Sequence, residues 1–179
     1  GNRLGMKFYA PWTDLLSSTL IHDIQMVIEL SSSTPDRVFA EAVIRECKKY
    51  NSHDAVIAIL RFSDGSIASF ETSWVLPENQ PEPLDPAFHV IGDNGSIIIE
   101  GSSLGMSIQT NKQYLKPDLA HWPTINSLVD GSLKRNLDLF IEKALKNSSP
   151  LVDLESALLA EKVVYCMKKS IKLKKPVKI

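Results

Sequence analysis

Two strand-like runs joined by a short turn, between residues 54 and 76, restrict the fold more than any other feature of this sequence. The first run, DAVIAILRF (54–62), is apolar on both faces, which is typical of a central strand. The second, SIASFETSWVL (66–76), alternates apolar and polar residues, as a half-covered strand does. The connecting SDGS contains an Asp-Gly pair, which tolerates the positive φ of tight hairpins. The segment therefore predicts an antiparallel hairpin within a sheet.

Helical patterns precede and follow the strand-like segments. Near the start, Thr13 or Asp14 can cap a helix over residues 15–30. Apolar spacing near the end predicts two more helices, over residues 127–147 and 153–173, and Asp153 is the expected N-cap of the last one. The apolar stripe of the first helix consists of Leu16, Leu20, Ile24, Val27 and Ile28.

The order of these elements determines the predicted fold class. Further strand-like runs are RVFAEAVIREC (37–47), two runs around the turn at Asp93-Asn94-Gly95, and a last edge strand in KPVKI. The strands follow one another through hairpins, without the βαβ alternation of a parallel sheet. We therefore expect an α+β fold: a mostly antiparallel, open β-sheet of about six strands, with helices packed on one face. We expect residues 1–179 to form a single domain.

Composition and motifs exclude several classes of function. The 179-residue chain has a net charge of −1, so nothing favours nucleic acid or an anionic membrane as a partner. No apolar run approaches the ~18 residues that span a membrane, and no G-x-G-x-x-G follows a strand. The histidines and the two cysteines, Cys47 and Cys166, lack metal-site spacing. We therefore expect no metal and no cofactor-binding residue in this chain, and a reducing cytoplasm as its location.

One face of the first helix carries the candidate chemistry. Ser18, His22, Gln25 and Glu29 fall at i, i+4, i+7 and i+11, which places them together on an ideal α-helix. An imidazole titrates near neutral pH, so a histidine among polar neighbours suits acid–base catalysis.

Four blocks in a fixed order carry a resemblance to a known family. They are LIHDIQMVIEL, DAVIAILRFSDGSIASFETSW, HVIGDNGSIIIEG and LDLFIEKALKNSSPLVDLESALLAEKVVYCMKKSIKLKKPV. From about Arg3 to the end, the sequence resembles the C-terminal domain of the Gfo/Idh/MocA oxidoreductases, the relatives of glucose-fructose oxidoreductase and inositol dehydrogenase. In that family an N-terminal Rossmann domain binds NAD(P) and carries a lysine in a Glu-Lys-Pro motif, and neither occurs in this sequence. Since the chain also begins at Gly1 rather than at a methionine, we expect a fragment of a longer enzyme.

The resemblance implies an NAD(P)-dependent oxidoreductase that acts on a secondary alcohol of a sugar, cyclitol or related polyol. His22 matches the family's catalytic histidine, which exchanges a proton with the substrate hydroxyl while hydride passes to or from the nicotinamide. The expected substrate contacts are Ser18, Gln25 and, just before the helix, Tyr9 and Trp12. NAD or NADP would be bound mainly by the missing domain, so this chain alone is expected to bind no cofactor and to be inactive.

Ser18 departs from the family pattern. The family's aspartate, four residues before the histidine, falls at this position. A carboxylate there would orient the imidazole and stabilise its cation, whereas a serine hydroxyl carries no charge. Three explanations stay open: Glu29 or Asp14 helps instead, the lysine of the missing domain acts alone, or the site is degenerate. The alternative function is therefore a non-catalytic, stand-alone dimeric scaffold or regulatory module that retains only this fold.

The predicted sheet has apolar side chains on both of its faces. Helices are expected on one face only, so the other face needs a different cover. We therefore expect self-association, as a dimer or a higher oligomer, through the sheet face. The two apolar sets are Ile57, Ile59 and Ile67 on one side, and Val56, Leu60, Phe70 and Trp74 on the other.

Overall fold

A computed structural model describes residues 2–3, 9–77, 79–82 and 84–179 of the chain. The α-helices of this part are α1 (Ile21–Leu30), α2 (Ser132–Leu145) and α3 (Leu154–Leu173). A π-helical turn (Leu16–Leu20) precedes α1, and a 3₁₀ helix (Glu46–Tyr50) follows the second strand. The strands are β1 (Asn2–Arg3), β2 (Pro35–Val43), β3 (Ala55–Phe62), β4 (Ile67–Ser73), β5 (Leu84–Asp85), β6 (Ala87–Gly92), β7 (Gly95–Glu100), β8 (Ile108–Gln109), β9 (Tyr114–Leu115), β10 (Thr124–Ile125), β11 (Leu128–Val129) and β12 (Val177–Lys178).

These elements confirm the α+β fold class with mostly antiparallel strands. They form two compact units: Gly1–Pro77 together with Val152–Ile179, and Glu78–Leu151. None of the helices in the described ranges has the length and apolarity that crossing a lipid bilayer requires.

A four-stranded antiparallel sheet, in the order β12-β2-β3-β4, forms the centre of the first unit. The prediction that residues 54–62 form a central strand is confirmed, because β3 pairs with both β2 and β4. The predicted hairpin turn is confirmed as well: Phe62 N–H donates to Ser66 O at 2.9 Å, and Gly65 has a φ of 95°. The Asp64 carboxylate accepts from Ser66 N–H at 2.9 Å, which stabilises the turn. The expected edge strand in KPVKI is β12.

Helices cover one face of this sheet, as predicted. Helix α3 packs on β2, and α1 packs on α3. The opposite face is open, and Ile57, Ile59 and Ile67 remain 60%, 50% and 67% exposed there. The core between the sheet and the helices contains Leu16, Leu20 and Ile24, Val38 and Ala40, Val56, Ala58 and Leu60, Phe70, and Ala160, Val163, Val164 and Met167.

The second unit consists of hairpins and one helix. Strands β6 and β7 pair from Ala87↔Glu100 to Gly92↔Gly95, and β8 with β9 and β10 with β11 form shorter hairpins. The largest sheet of the described part thus has four strands rather than about six, because these strands pair only as two-stranded ribbons.

Helix α2 begins at Ser132. The predicted start, residue 127, was therefore five residues too early. Asn126 and Ser127 have φ values of 51° and 65°, which a right-handed helix cannot contain, and they form the turn between β10 and β11. Gly131 ends this segment with a φ of 100°, and a Cβ there would lie 2.6 Å from the His121 carbonyl oxygen.

Candidate active site

The helix that carries His22 begins with a turn of π-helix. The Ile21 N–H donates to the Leu16 carbonyl oxygen, five residues back. Serine and threonine are weak helix formers, and residues 17–19 are Ser-Ser-Thr. The buried Thr19 hydroxyl accepts from the Trp74 indole N–H at 2.8 Å, which joins this turn to the end of β4. Trp74 therefore belongs to the core.

The π turn changes the polar face predicted from ideal α-helical spacing. Ser18 lies inside the turn, whereas His22, Gln25 and Glu29 lie on the regular helix α1. Gln25 and Glu29 share a face, since Gln25 Nε2 donates to Glu29 Oε1 at 2.9 Å. Because a π turn contains one residue more than an α turn, Ser18 is displaced around the helix axis relative to the other three. His22 is exposed, and Ser18 and Gln25 are half-buried.

Asp14 anchors the N-terminal end of this helix and confirms the predicted cap. Its Oδ1 accepts from Leu16 N–H at 3.0 Å and from Ser17 N–H at 3.1 Å. Its Oδ2 accepts from Lys168 Nζ of α3 at 2.8 Å, and Lys168 also donates to Ser17 Oγ at 2.8 Å. Burial alone would raise the pKa of Asp14, but the bond from Lys168, the backbone bond from Ser17 and the lysine charge together lower it.

A second set of bonds anchors the other end of α1 to the start of α3. Gln25 Nε2 donates to Ser156 Oγ at 2.6 Å, and the Ser156 hydroxyl donates to Glu29 Oε1. Ser156 is itself held by the predicted cap, because its N–H donates to Asp153 Oδ1 at 2.7 Å. The helix that carries His22 is therefore tied to α3 at both of its ends. The partners on α3, Lys168 and Ser156, are far away in sequence and no local pattern points to them.

Neither of the two carboxylates that could replace the family's aspartate contacts His22. Both oxygens of Asp14 are occupied by the helix cap and Lys168, and Glu29 binds Gln25 and Ser156. Within the described ranges the His22 ring forms no hydrogen bond or ion pair. One of the three explanations for Ser18 was that Asp14 or Glu29 helps His22 instead. The described residues contain no direct contact of this kind.

Tyr9 and Trp12 form a turn just before the helix. Trp12 N–H donates to the Tyr9 carbonyl oxygen at 2.9 Å, and Thr13 N–H donates to the same oxygen at 3.1 Å. The two aromatic residues are 48% and 72% exposed. They are therefore accessible to a ligand or to another polypeptide segment.

His53 is a titratable residue near the Asp14–Lys168 pair that the sequence did not single out. Its Nδ1 is buried and has no hydrogen-bond partner within the described residues, and the neighbouring Ser52 Oγ is in the same situation. Burial lowers the pKa of His53, and Lys168 adds to this, while Asp14 and Asp54 act in the opposite direction. The neutral form of the imidazole is therefore favoured.

The second unit contains a histidine with a carboxylate partner. His121 Nδ1 lies 3.0 Å from Asp118 Oδ2, and Asp118 Oδ1 also accepts from the Ala120 and His121 N–H groups at 3.0 Å. The spacing D-x-x-H was the available sequence signal. A groove of about 470 Å³ lies beside this segment at the start of α2. Its polar lining includes Asp130, Ser132, Arg135 and Asn136.

The polar groups of the described residues fit some ligands better than others. No three His, Cys, Asp or Glu side chains of this part come together as a metal ligand set. Among the described helices none is opened by a Gly-rich loop, so this part of the chain contains no cradle of that kind for a dinucleotide pyrophosphate. The exposed His22 face fits the hydroxyl of a small polar ligand, and would fit a nicotinamide only if that group were held from elsewhere.

Comparison with known proteins finds a family model that matches part of the sequence. The family model of the GFO/IDH/MocA C-terminal domain matches residues 12–98, which include the His22 helix and the β2–β4 sheet. No curated protein sequence matches the chain.

Solved structures share the fold over almost the whole chain. A myo-inositol 2-dehydrogenase from Lactobacillus plantarum has a TM-score of 0.72 at 18% identity, covering 100% of this chain and 55% of its own. A myo-inositol dehydrogenase from Corynebacterium glutamicum has a TM-score of 0.72 at 16% identity, with 99% and 53% covered. A scyllo-inositol dehydrogenase from Lactobacillus casei, with bound NAD(H) and scyllo-inositol, has a TM-score of 0.70 at 14% identity, with 98% and 54% covered.

The chain thus spans about half the length of these dehydrogenases. At identities of 14–18%, the similarity to these structures shows only that the fold is shared. The match to the family model comes from the amino-acid sequence. Over residues 12–98 the chain is similar to the GFO/IDH/MocA C-terminal domain family, and the structural neighbours of the chain are inositol and other dehydrogenases.

Proposed function

We propose that this chain is the substrate-binding and dimerisation half of an NAD(P)-dependent oxidoreductase. Its substrate would be a secondary alcohol of a sugar, cyclitol or related polyol, and the complete enzyme would act in the cytoplasm. The observation that carries the proposal is the exposed His22 on a helix anchored at both ends, within the segment that matches the family. The inositol bound to the Lactobacillus casei dehydrogenase supports the substrate class.

In this proposal His22 moves the proton of the reaction. A neutral ring nitrogen would accept the proton of the substrate hydroxyl as the alcohol carbon is oxidised, and return it in the reverse direction. NAD(P), held mainly by a further domain, would supply the hydride chemistry when bound. The chain as given, residues 1–179, would act as one C-terminal domain, bind no cofactor of its own and be inactive alone.

The other predicted site residues would contact the substrate. The Ser18 hydroxyl can donate to or accept from a substrate hydroxyl. Gln25 can offer only its carbonyl oxygen, since its amide nitrogen already binds Glu29 and Ser156. Tyr9 and Trp12 would supply apolar surface for the C–H faces of a polyol ring.

The open face of the sheet supports the dimerisation role. In the β2–β3–β4 register, four rows of side chains lie on this face, and the row at one end contains Val43, Ala55 and Ser73. The row at the opposite end contains Arg37, Arg61 and Ile67, and the row beside Val43 contains Glu41, Ile57 and Glu71. Between them lie Phe39, Ile59 and Ser69. The face thus carries a basic row and an acidic row, with the Ile59 row between them.

This pattern is complementary to a second copy of itself. Arg37 and Arg61 are directly opposite each other in the sheet, which is unfavourable within one chain. A two-fold axis across the strands, through the Ile59 row, would set the arginines of one copy against Glu41 and Glu71 of the other. It would also cover the exposed isoleucines.

The proposed activity is tested with the protein from the complete reading frame. Reduction of NAD or NADP should be measured with myo-inositol, scyllo-inositol and a panel of sugars. We expect turnover with at least one of them, and a loss of kcat of about a hundredfold or more in His22→Gln. His121→Gln, which removes the same group in the other unit, is the matched control.

The alternative is a non-catalytic dimeric scaffold or regulatory module. The observation that favours it is the absence of any carboxylate contact to His22 within the described residues. A complete protein that dimerises, binds no NAD(P) and oxidises none of these compounds would support the alternative. An active complete protein whose His22→Gln variant retains full kcat would refute the role of His22.

A further inference from the structure

Three basic residues, Lys178, Arg37 and Arg61, form a cation row at one end of the open sheet face. In the strand register Lys178 of β12 is opposite Arg37 of β2, and Arg37 is opposite Arg61 of β3. All three are exposed, whereas the adjacent Val177–Val38 pair is buried in the core under the helices. Since successive side chains of a strand point to opposite faces, the three cations share the face that the helices leave open.

No acidic side chain neutralises the cation row within the described residues. In that part of the chain none of the three cations forms an ion pair or a side-chain hydrogen bond. On the same face of β2, Glu41 is four residues from Arg37, which is about 13 Å along a strand. In the nearby turn, the Asp64 carboxylate accepts from Ser66 N–H and Oγ at 2.9 and 2.7 Å. Like charges directly opposite each other destabilise a sheet, so the cation row favours an anion from outside the chain.

The cation row borders a groove with a mostly apolar lining. The groove has a volume of about 300 Å³, and Arg37 and Arg61 line it. Pockets for small organic ligands begin at about this volume. Apolar surface beside a guanidinium lowers the local dielectric, which strengthens its attraction for an anion. The groove therefore fits a small molecule with one strongly anionic end and an apolar part. The other lining residues are Phe39, Ile59, Ile67 and Pro176.

We propose that the cation row binds the phosphate group of a small phosphate monoester, whose organic part lies in the groove. Such a group carries a charge of about −1.5 to −2 at pH 7 and has three terminal oxygens that accept hydrogen bonds. Guanidinium groups donate parallel N–H bonds to phosphate oxygens, and a lysine ammonium adds a point charge. A carboxylate has a single charge and two oxygens, so it would leave more of the cation row unpaired.

Occupation of this site opposes self-association through the sheet face, a consequence that rests on the proposed dimer. In that dimer Arg37 and Arg61 of one copy lie against Glu41 and Glu71 of the other. A bound phosphate monoester occupies the same guanidinium groups and sets its own negative charge against these glutamates. Because the ligand binds the monomer more tightly than the dimer, it shifts the chain toward the monomer.

Titration of the 179-residue chain with phenyl phosphate, followed through the backbone amide NMR signals of β2, β3 and β12, tests the site. We expect saturable shifts, weaker binding of inorganic phosphate, and no binding of phenol, which lacks the charge. Arg61→Gln and Lys178→Gln should each raise the Kd about tenfold, the effect of one lost charge-assisted hydrogen bond. Arg45→Gln, which removes an exposed arginine beyond the opposite end of β2, should leave the Kd unchanged.

Sedimentation with and without phenyl phosphate, at an ionic strength held constant with NaCl, tests the link to self-association. We expect phenyl phosphate, but not phenol, to lower the dimer fraction. Shifts that do not saturate, or a Kd unchanged in both Arg61→Gln and Lys178→Gln, overturn the site. Saturable binding with an unchanged dimer fraction overturns the link to self-association. A chain that binds phenyl phosphate through the cation row but stays monomeric at every concentration refutes the sheet-face dimer of the proposed function and supports the phosphate site.

Discussion

The Asp14 anchor gives the sharpest stability prediction, because one carboxylate performs two separable tasks. Oδ1 caps the helix that carries His22, and Oδ2 pairs with Lys168 at 2.8 Å. Asp14→Ala removes both tasks. Asp14→Asn keeps a good cap and removes only the charge. Comparing the two variants therefore separates the contribution of the helix cap from that of the ion pair with Lys168.

The size of each contribution follows from the exposure of the groups. Losing an N-cap costs about 1 kcal/mol. The side chains of Asp14 and Lys168 are 27% and 40% exposed, so solvent screens the pair and its contribution stays below about 1 kcal/mol. Asp14→Ala should thus lower the free energy of unfolding by about 1.5–2 kcal/mol. For a chain of this size, that corresponds to a Tm lower by about 3–8 °C. Asp14→Asn should lose less than half of this.

The pH dependence provides an independent check with a definite sign. The pKa of Asp14 is lowered from its ordinary 3.8, so its charged form is favoured in the folded state. Its contribution is therefore present above pH 3.8 and is lost as the pH falls through the lower, folded-state pKa. Asp14→Asn should lack this acid-dependent part of the unfolding free energy.

Urea unfolding at pH 7 and below pH 4 measures both effects, and a double-mutant cycle with Lys168→Met isolates the ion pair. Equal losses in Asp14→Ala and Asp14→Asn would refute the capping role. A coupling energy near zero between Asp14 and Lys168 would refute the contribution of the ion pair. No loss in either variant would refute the anchor as a whole.

Three further predictions concern other parts of the first unit. Arg37→Glu should weaken self-association measured by sedimentation, Arg37→Glu with Glu41→Arg should restore it, and a monomeric wild type would refute the sheet-face dimer. Asp54→Ala should lower the free energy of unfolding in urea by about 3 kcal/mol or more, because the Asp54 carboxylate accepts three backbone N–H bonds at 2.6, 2.9 and 2.7 Å. A loss below about 1 kcal/mol would contradict this. Since burial lowers the pKa of His53 from 6.5, wild-type stability should fall as the pH drops from 6.5 toward the folded-state pKa, and His53→Gln should lose this dependence; an unchanged pH profile would exclude His53 as its source.

The elements that the sequence predicted are those whose signal is local. The alternation in 66–76 and the Asp64-Gly65 turn predict the β3–β4 hairpin, because a half-covered strand and a positive φ each restrict residue type. The caps Asp14 and Asp153 follow from the same kind of rule. The start of α2 was misplaced because the apolar residue Leu128 fits a helical stripe and a short strand equally well.

The site depends on contacts that are not local in sequence. Lys168 and Ser156 bind the His22 helix across 154 and 131 residues. In the sequence, a lysine and a serine on an amphipathic helix carry no sign of such partners. The same applies to the open sheet face. Single residues such as Arg37 and Glu41 look ordinary, and only the strand register shows that the charges lie in separate rows.

The π turn affects where the Ser18 side chain lies relative to His22. An apolar pair recurs after five residues, at Leu15-Leu16 and at Leu20-Ile21, and this is the spacing of an i→i+5 turn. Because a π turn contains one residue more than an α turn, position 18 faces a different direction relative to position 22 than on a regular α-helix. The α-helical spacing of Ser18 and His22 in the sequence is therefore not enough to place the two side chains on one face.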